Sequence, residues 1–554
     1  MAWGAACNNG TEPHFRPCTA VDNPVTLAVN QYASIDPVVD TGCMVFPATT
    51  LAAEYLVIPQ LASGVPGQIA QFRLVGDTIL PAPGPSPEMS PDFASLSPAE
   101  RFHSFLRLGD ERRSWGLVPE KGVEPVAPGA QPQMSAAAGP PGMGTLRSFE
   151  VCAKTDCTRF DKVGARVRAL KAKVAIYVDT LAPAGGLDSL ALDSIANLFD
   201  TRLYAIDTAA FGRESDIDSN TVVMVLMTNT VNKLVSATDC NRSGFVAGFF
   251  FGADLDPAFR NDSRSNKAEV FYSIVADPAG TLSCAHPASD VEKFVPVTFI
   301  HEFQHMISFN QHVLLRGGGG ELLWLNEGLS HYAEELGGRS YAATPDAVVA
   351  DCPAGSVECR FYGGNLLDAY DYMDTVTKHF LLPTAGIGSL AERGAAWLFV
   401  RYVVDQYSAG SARTDWDAFT RQLVGTSQTG AQNIAAVSGV PFATAATDWS
   451  LAIYVTDRGG IPAALQFNSW NLHAVYAQLH GRAPEAFPKT YPLEPLLFVG
   501  RTVALTGTMR AGSGIYLRLS QPALDRGFTL SFTDPSGLPI AATFGPRVNV
   551  MRLQ

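Results

Sequence analysis

The sequence predicts an α+β fold: a central region of mixed strands and helices, flanked at both ends by β-rich regions. Three patterns predict it. Short apolar-polar alternations broken by Gly and Pro occupy both ends of the chain. Buried-strand runs alternate with helically spaced apolar residues from about residue 146. Helical spacing then dominates until about residue 455. At 554 residues the chain is too long for one compact core, and two to four domains are expected. The boundaries read as a β-rich domain over 1–79, a Pro/Gly-rich linker with one helix over 80–145, the central domain over 146–485, and a second β-rich domain over 486–554.

Glu54-Tyr55-Leu56-Val57-Ile58 and Gln71-Phe72-Arg73-Leu74-Val75 read as strands of the first region. Pro, Gly, Ala and Ser then take over, as in Pro81-Ala82-Pro83-Gly84-Pro85 and Gly139-Pro140-Pro141-Gly142, a composition suited to an extended linker. Within it, Ser97-Pro98-Ala99-Glu100 is an N-cap followed by Pro at the first helical position, and it predicts a helix to about Trp115. Lys173–Val178 and Thr221–Met227 read as buried strands, with a helix over Leu187–Tyr204 between them. Helices are predicted over Val295–Phe309, from about Asn326, and over Gly394–Tyr407, Asp415–Leu423 and Phe442–Val455. Thr502–Thr508, Ile515–Leu519 and Phe528–Phe532 return to strand alternation.

Composition excludes some functions. Apolar residues make up 47% and charged residues 17%, the balance of a folded soluble protein. A net charge of −13 without a basic run argues against nucleic acid as a partner. The most apolar stretches fall far short of the roughly 20 residues that span a bilayer, so no transmembrane segment is expected. Met1–Ala6 is not a complete signal peptide; Gly4-Ala5-Ala6-Cys7 resembles the end of a lipoprotein signal but lacks the expected apolar residue. Eight of the nine cysteines form plausible pairs: Cys18 with Cys43, Cys152 with Cys157, Cys240 with Cys284 and Cys352 with Cys359. With no CxxC pair present, disulfides are the reading, and a secreted or periplasmic location follows.

The chemistry centres on His301-Glu302-Phe303-Gln304-His305. Residues four apart share one face of a helix, so both imidazoles can reach one metal ion. Glu302 lies about 100° round the helix, free to act on a water at the metal. A catalytic zinc site needs a third protein ligand, and Asn326-Glu327-Gly328 supplies Glu327 after the reversal at Gly317–Gly320. His312 is out of register with the shorter His-Glu-x-x-His-x-x-Gly-x-x-His run, whose glycine is absent here, so Glu327 is preferred. His379, His473 and His480 show no partner spacing. Asp216-Ile217-Asp218-Ser219-Asn220 has the alternating oxygens of a structural Ca2+ loop but lacks its glycine and distal Glu; a capped turn is favoured.

His301-Glu302-x-x-His305 followed by Trp324-Leu325-Asn326-Glu327-Gly328, with Glu334 beyond, resembles the gluzincin metallopeptidases. Phe299–Ile307, Ser265–Tyr272 and Gly394–Phe399 are most similar to the hyicolysin-type bacterial secreted metallopeptidases, a resemblance covering roughly residues 146–460. It implies a catalytic domain with a mixed sheet above the active-site helix and a helical lobe below, and one catalytic Zn2+ held by His301, His305 and Glu327. It further implies Glu302 as general base, Glu334 and His331 behind the ligands, and Lys267–Ile274 as the edge strand for an extended protein or peptide substrate. Ala391-Glu392-Arg393-Gly394 departs from the related aminopeptidases, which carry a Tyr at the first position for the oxyanion; Tyr362, Tyr372, Tyr402 and His331 are the substitutes to examine. The Gly-x-Met-Glu-Asn motif for a free N-terminus is also missing, so an endopeptidase is expected. An aminopeptidase and a catalytically weak binding or adhesion protein are the alternatives. Oligomeric state is not legible.

Overall fold

The computed structural model describes residues 24–39, 42–77, 96–117, 139–384 and 388–554. The expected linker lies mostly outside them, as do Cys7, Cys18 and the chain start. The fold is α+β with three sheets. Four early strands, β1 (Tyr32–Ile35), β2 (Cys43–Phe46), β3 (Ala53–Leu61) and β4 (Ile69–Val75), precede helix α1 (Pro98–Arg112). A six-stranded sheet follows, built from β5 (Leu146–Cys152), β6 (Phe160–Leu170), β7 (Val174–Asp179), β8 (Val223–Met227), β9 (Gly248–Phe250) and β10 (Val270–Ser273), in the order β5-β6-β7-β8-β10-β9. β7, β8 and β10 are parallel, and the other pairings antiparallel. Helices α2 (Ser189–Leu198) and α3 (Tyr204–Phe211) connect β7 to β8, and the short α4 (Asn229–Asn232) and α5 (Ala237–Ser243) follow β8.

The helical region comprises α6 (Ala288–Phe309), α7 (Leu323–Arg339), α8 (Val357–Asp374), α9 (Leu390–Tyr407), α10 (Arg413–Val424), α11 (Gly430–Ser438), α12 (Phe442–Val455) and α13 (Leu472–Arg482). Helix α6 starts a full two turns before the predicted Val295 and carries Pro296 inside it. Burial explains how the proline is tolerated: from Phe299 to Phe309 every residue of α6 is buried, so packing rather than propensity holds the helix. Phe299 meets Phe271 of β10 at 5.1 Å between rings, and Phe303 meets Tyr204 of α3 at 5.4 Å. These contacts fix α6 beneath the sheet.

Strands from the two β-rich regions, expected as separate domains over 1–79 and 486–554, share two sheets. The late strands β11 (Leu496–Val499), β12 (Ala504–Arg510), β13 (Leu517–Gln521), β14 (Phe528–Thr533) and β15 (Pro546–Arg552) pair with the early ones. One sheet runs β1-β15-β3-β13-β11 and the other β12-β4-β14-β2. Strand β3 has two edges of unpaired N–H and C=O groups, which β13 and β15 satisfy. Alternation along β3 also joins the sandwich to the helical region. Tyr55 and Val57 face the sandwich interior, whereas Leu56 and Ile58 enter the larger core. Buried Gln60 donates to Ala446 O at 3.2 Å and Gly512 O at 2.8 Å.

Three of the expected disulfides form, Cys152–Cys157, Cys240–Cys284 and Cys352–Cys359. Cys43 is also disulfide-bonded, and the partner expected for it, Cys18, lies outside the described residues.

Candidate metal centre

Helices α6 and α7 run antiparallel, since His301 meets Glu334 while His305, one turn later, meets Asn326. That arrangement brings His301, His305 and Glu327 together with ligand atoms within 4.8 Å of one another. His301 Nε2 is 3.1 Å from His305 Nε2, and Glu327 oxygens lie 3.6 Å and 3.7 Å from the two imidazoles. Ligands about 2.0–2.1 Å from one tetrahedral ion stand roughly 3.3 Å apart, so the spacing fits a single zinc ion. Both carboxylate oxygens of buried Glu327 lack a hydrogen-bond partner, as expected of a group meant for a cation.

The surroundings prepare each ligand. His301 Nδ1 faces Glu334 Oε1 at 2.7 Å, and His305 Nδ1 faces Asn326 Oδ1 at 2.9 Å and Ser330 Oγ at 3.0 Å. Each contact fixes one ring nitrogen and turns Nε2 to the centre. The two imidazoles differ electrostatically. Burial alone lowers the pKa of His301, but the Glu327 and Glu334 carboxylates outweigh it and push it up to about 10. His305 is held well below its ordinary value by burial and by the Arg107 guanidinium. Burial pushes Glu327 up, but Arg393 and His301 hold it well below the usual carboxylate range.

Glu302 stands beside this group. Its Oε2 accepts the Phe250 N–H at 2.8 Å, and burial raises its pKa above the usual carboxylate range. Strand β9, which carries Phe250, is one of the two outer strands of the six-stranded sheet. This corrects the expected edge: Val270–Ser273 lies between β8 and β9, because Gly248–Phe250 adds a further antiparallel strand. A three-residue strand is too short for period-2 reading to reveal it.

Among the four substitutes for the missing Tyr, only His331 stands beside the centre. Its ring lies 4.9 Å from that of His301, Nδ1 faces Asn365 Oδ1 at 2.8 Å, and buried Nε2 has no partner. Tyr372 bonds Ser513 at 2.9 Å, Tyr402 donates to Ala464 O at 2.8 Å, and Tyr362 packs on Trp470. Sequence reasoning missed two arginines. Arg393 Nε is 3.7 Å and Arg107 Nε 3.9 Å from Glu327. Arg393 lies in the very run singled out for its missing Tyr; Arg107, in the linker helix, gave no local signal.

The Asp216–Asn220 segment forms a turn. Asp216 accepts from Thr221 N, Asp218 from Asn220 N, and Asn220 Oδ1 from Val222 N. Buried Glu269, which sequence did not connect to it, completes a carboxylate group with Asp216 and Asp218, and Arg147 lies 3.7 Å from Asp218.

No family model matches the chain. It is 28% identical over 144 residues to the neutral metalloprotease ShpI of Staphylococcus hyicus, a match covering 26% of this chain and 30% of that protein. This distant, partial similarity and the buried His/His/Glu group both fit a zinc metallopeptidase.

Proposed function

We propose that the chain is an exported zinc-dependent endopeptidase, with His301, His305 and Glu327 as metal ligands and Glu302 as general base. The observation that carries this reading is the convergence of two imidazoles and a carboxylate that accepts no hydrogen bond, with a second glutamate beside them. A zinc ion held by His301, His305 and Glu327 would supply Lewis acidity to the scissile carbonyl and the attacking water. Glu302 would take the proton from the attacking water and pass it to the leaving amine. Its raised pKa suits the task, since a base works best when its pKa approaches the operating pH. The Phe250 N–H holds one Glu302 oxygen in place. Glu334 and Asn326 orient the two imidazoles, and His331 Nε2, which donates when the ring is protonated at both nitrogens, is the group best placed for the oxyanion.

The outward edge of β9 is the side on which an extended protein or peptide would add as a strand, with the Phe250 C=O rather than its Glu302-bound N–H as the group to be met. The disulfides fit an oxidising extracellular or periplasmic compartment. Among the described residues no helix is long and apolar enough to cross a membrane.

The test is casein cleavage with metal content measured on the same samples. Wild type is expected to carry about one zinc and cut internally, while Glu302→Gln keeps its zinc and loses about 10²–10⁴-fold in rate. Equal rates for the two proteins overturn the reading, as does undiminished zinc in a His301→Ala/His305→Ala double variant.

A further inference from the structure

Helix α1 lies across the candidate centre. Arg107 is fully buried; its Nη2 donates to Phe250 O at 2.9 Å and its Nε stands 3.9 Å from Glu327. Phe250 thereby has its N–H on Glu302 and its C=O on Arg107, so the outward edge of β9 is already taken at this residue. More of the α1 segment follows the same strand. Phe102 packs edge-on against Phe249 at 4.9 Å, and Trp115 inserts beside Phe251 and Phe259 at 5.9 Å and 5.4 Å. Arg113 grips Asp256 through two bonds of 2.7 Å.

The opposite side of α1 touches the helical region. Glu100 Oε1 accepts the Leu390 N–H at the start of α9. Gly320, just before α7, comes so close to Asp110 that a Cβ there would lie 2.6 Å from its carbonyl oxygen. The segment therefore bridges the edge of the six-stranded sheet and the helical region. Beneath it, His301 is 6% exposed and Glu302, His305 and Glu327 only 2%, so in the intact chain a protein substrate reaches them only when the segment opens locally.

The chain on either side of this segment can be cut without losing the early strands, although Phe102, Leu106 and Trp115 reach into the larger core. Residues 80–95 and 118–138, on either side of it, are rich in Pro, Gly, Ala and Ser. Strands β3 and β4, which precede α1, pair with β12, β13, β14 and β15 at the other end of the chain. A chain cut on both sides of α1 is held together by these ladders.

We propose that residues 97–117 form an autoinhibitory plug, with Arg107 occupying the β9 edge and the space beside Glu327 that a peptide substrate would otherwise take. This rests on the peptidase reading of the same centre. Cleavage on both sides of α1 frees the site without dismantling the fold.

The experiment introduces recognition sequences for a site-specific protease into residues 80–95 and 118–138 of the full chain. The zinc-loaded protein is compared before cutting and after cutting and size-exclusion chromatography. Two rates are read, zinc removal by dipicolinate and casein hydrolysis. Loss of the fragment should raise both by about tenfold or more, because access no longer waits for local opening. In the uncut chain, Arg107→Met should raise the zinc-removal rate in the same direction. Faster zinc removal without any casein hydrolysis supports the plug while removing the peptidase reading. A fragment that stays bound, or a zinc-removal rate unchanged after its loss, makes α1 a permanent wall and overturns the proposal.

Discussion

Glu334 joins two imidazoles, those of His301 and His331, on the α7 side of the candidate centre. Its Oε1 meets His301 Nδ1 at 2.7 Å and its Oε2 meets His331 Nδ1 at 3.3 Å, so one carboxylate orients two imidazoles. Burial raises its pKa, but His331 and His301 prevail and hold it at about 2, ionised across the working range. Removing it frees the His301 ring to rotate and lowers the basicity of Nε2. Glu334→Ala should weaken zinc binding by about 10–100-fold, measured by competition with a chromophoric chelator. An unchanged affinity would show that packing alone orients His301.

At the scale of elements, the centre depends on how closely the helices around α7 approach one another. A Cβ on Gly394 would lie 2.2 Å from Ala369 N, so α9 meets α8 backbone to backbone at that point. Gly328, next to Glu327, has Ala396 O at 2.9 Å from the equivalent position, which sets the distance between α7 and α9. Buried Glu335 holds the same helices through polar contacts, accepting from Arg339, Trp397 and Trp470. Gly394→Ala forces backbone to move, and should cost about 1–3 kcal/mol in a denaturant titration. Because α9 also carries Arg393, the loss of stability should come with weaker zinc binding. If stability were unchanged, α8 and α9 would have room that the structure does not show.

At the scale of the whole molecule, the sandwich makes the two ends of the chain interdependent. Strand β3 is paired on both sides by late strands, and its Leu56 and Ile58 belong to the larger core. Truncation after residue 495 would expose both edges of β3 and the apolar face of the sandwich at once. Such a protein should aggregate or lose its cooperative unfolding transition, rather than retain a folded domain of residues 146–485. A soluble truncated chain with a sharp transition would show that the central region folds alone. The same interdependence underlies the plug, since it lets α1 be cut free while the early strands stay attached.

The sequence by itself determined the α+β class, most strand and helix positions, and the His301, His305 and Glu327 that the fold brings together. His301, Glu302 and His305 are legible because helical periodicity is local: four residues make one turn wherever the helix lies. Glu327 is legible because a short reversal returns the chain to the same place. Phe442–Val455 is legible to the residue for a similar reason, since its apolar spacing and length are local properties. Tertiary structure alone decided the rest. It joined the two β-rich regions, placed Gly248–Phe250 outside Val270–Ser273, and set Arg107 beside Glu327. These are pairings between residues far apart in the chain. A strand's sequence states which face is apolar, not which of several possible partners will meet its backbone, and that choice is made only when the whole core is packed at once.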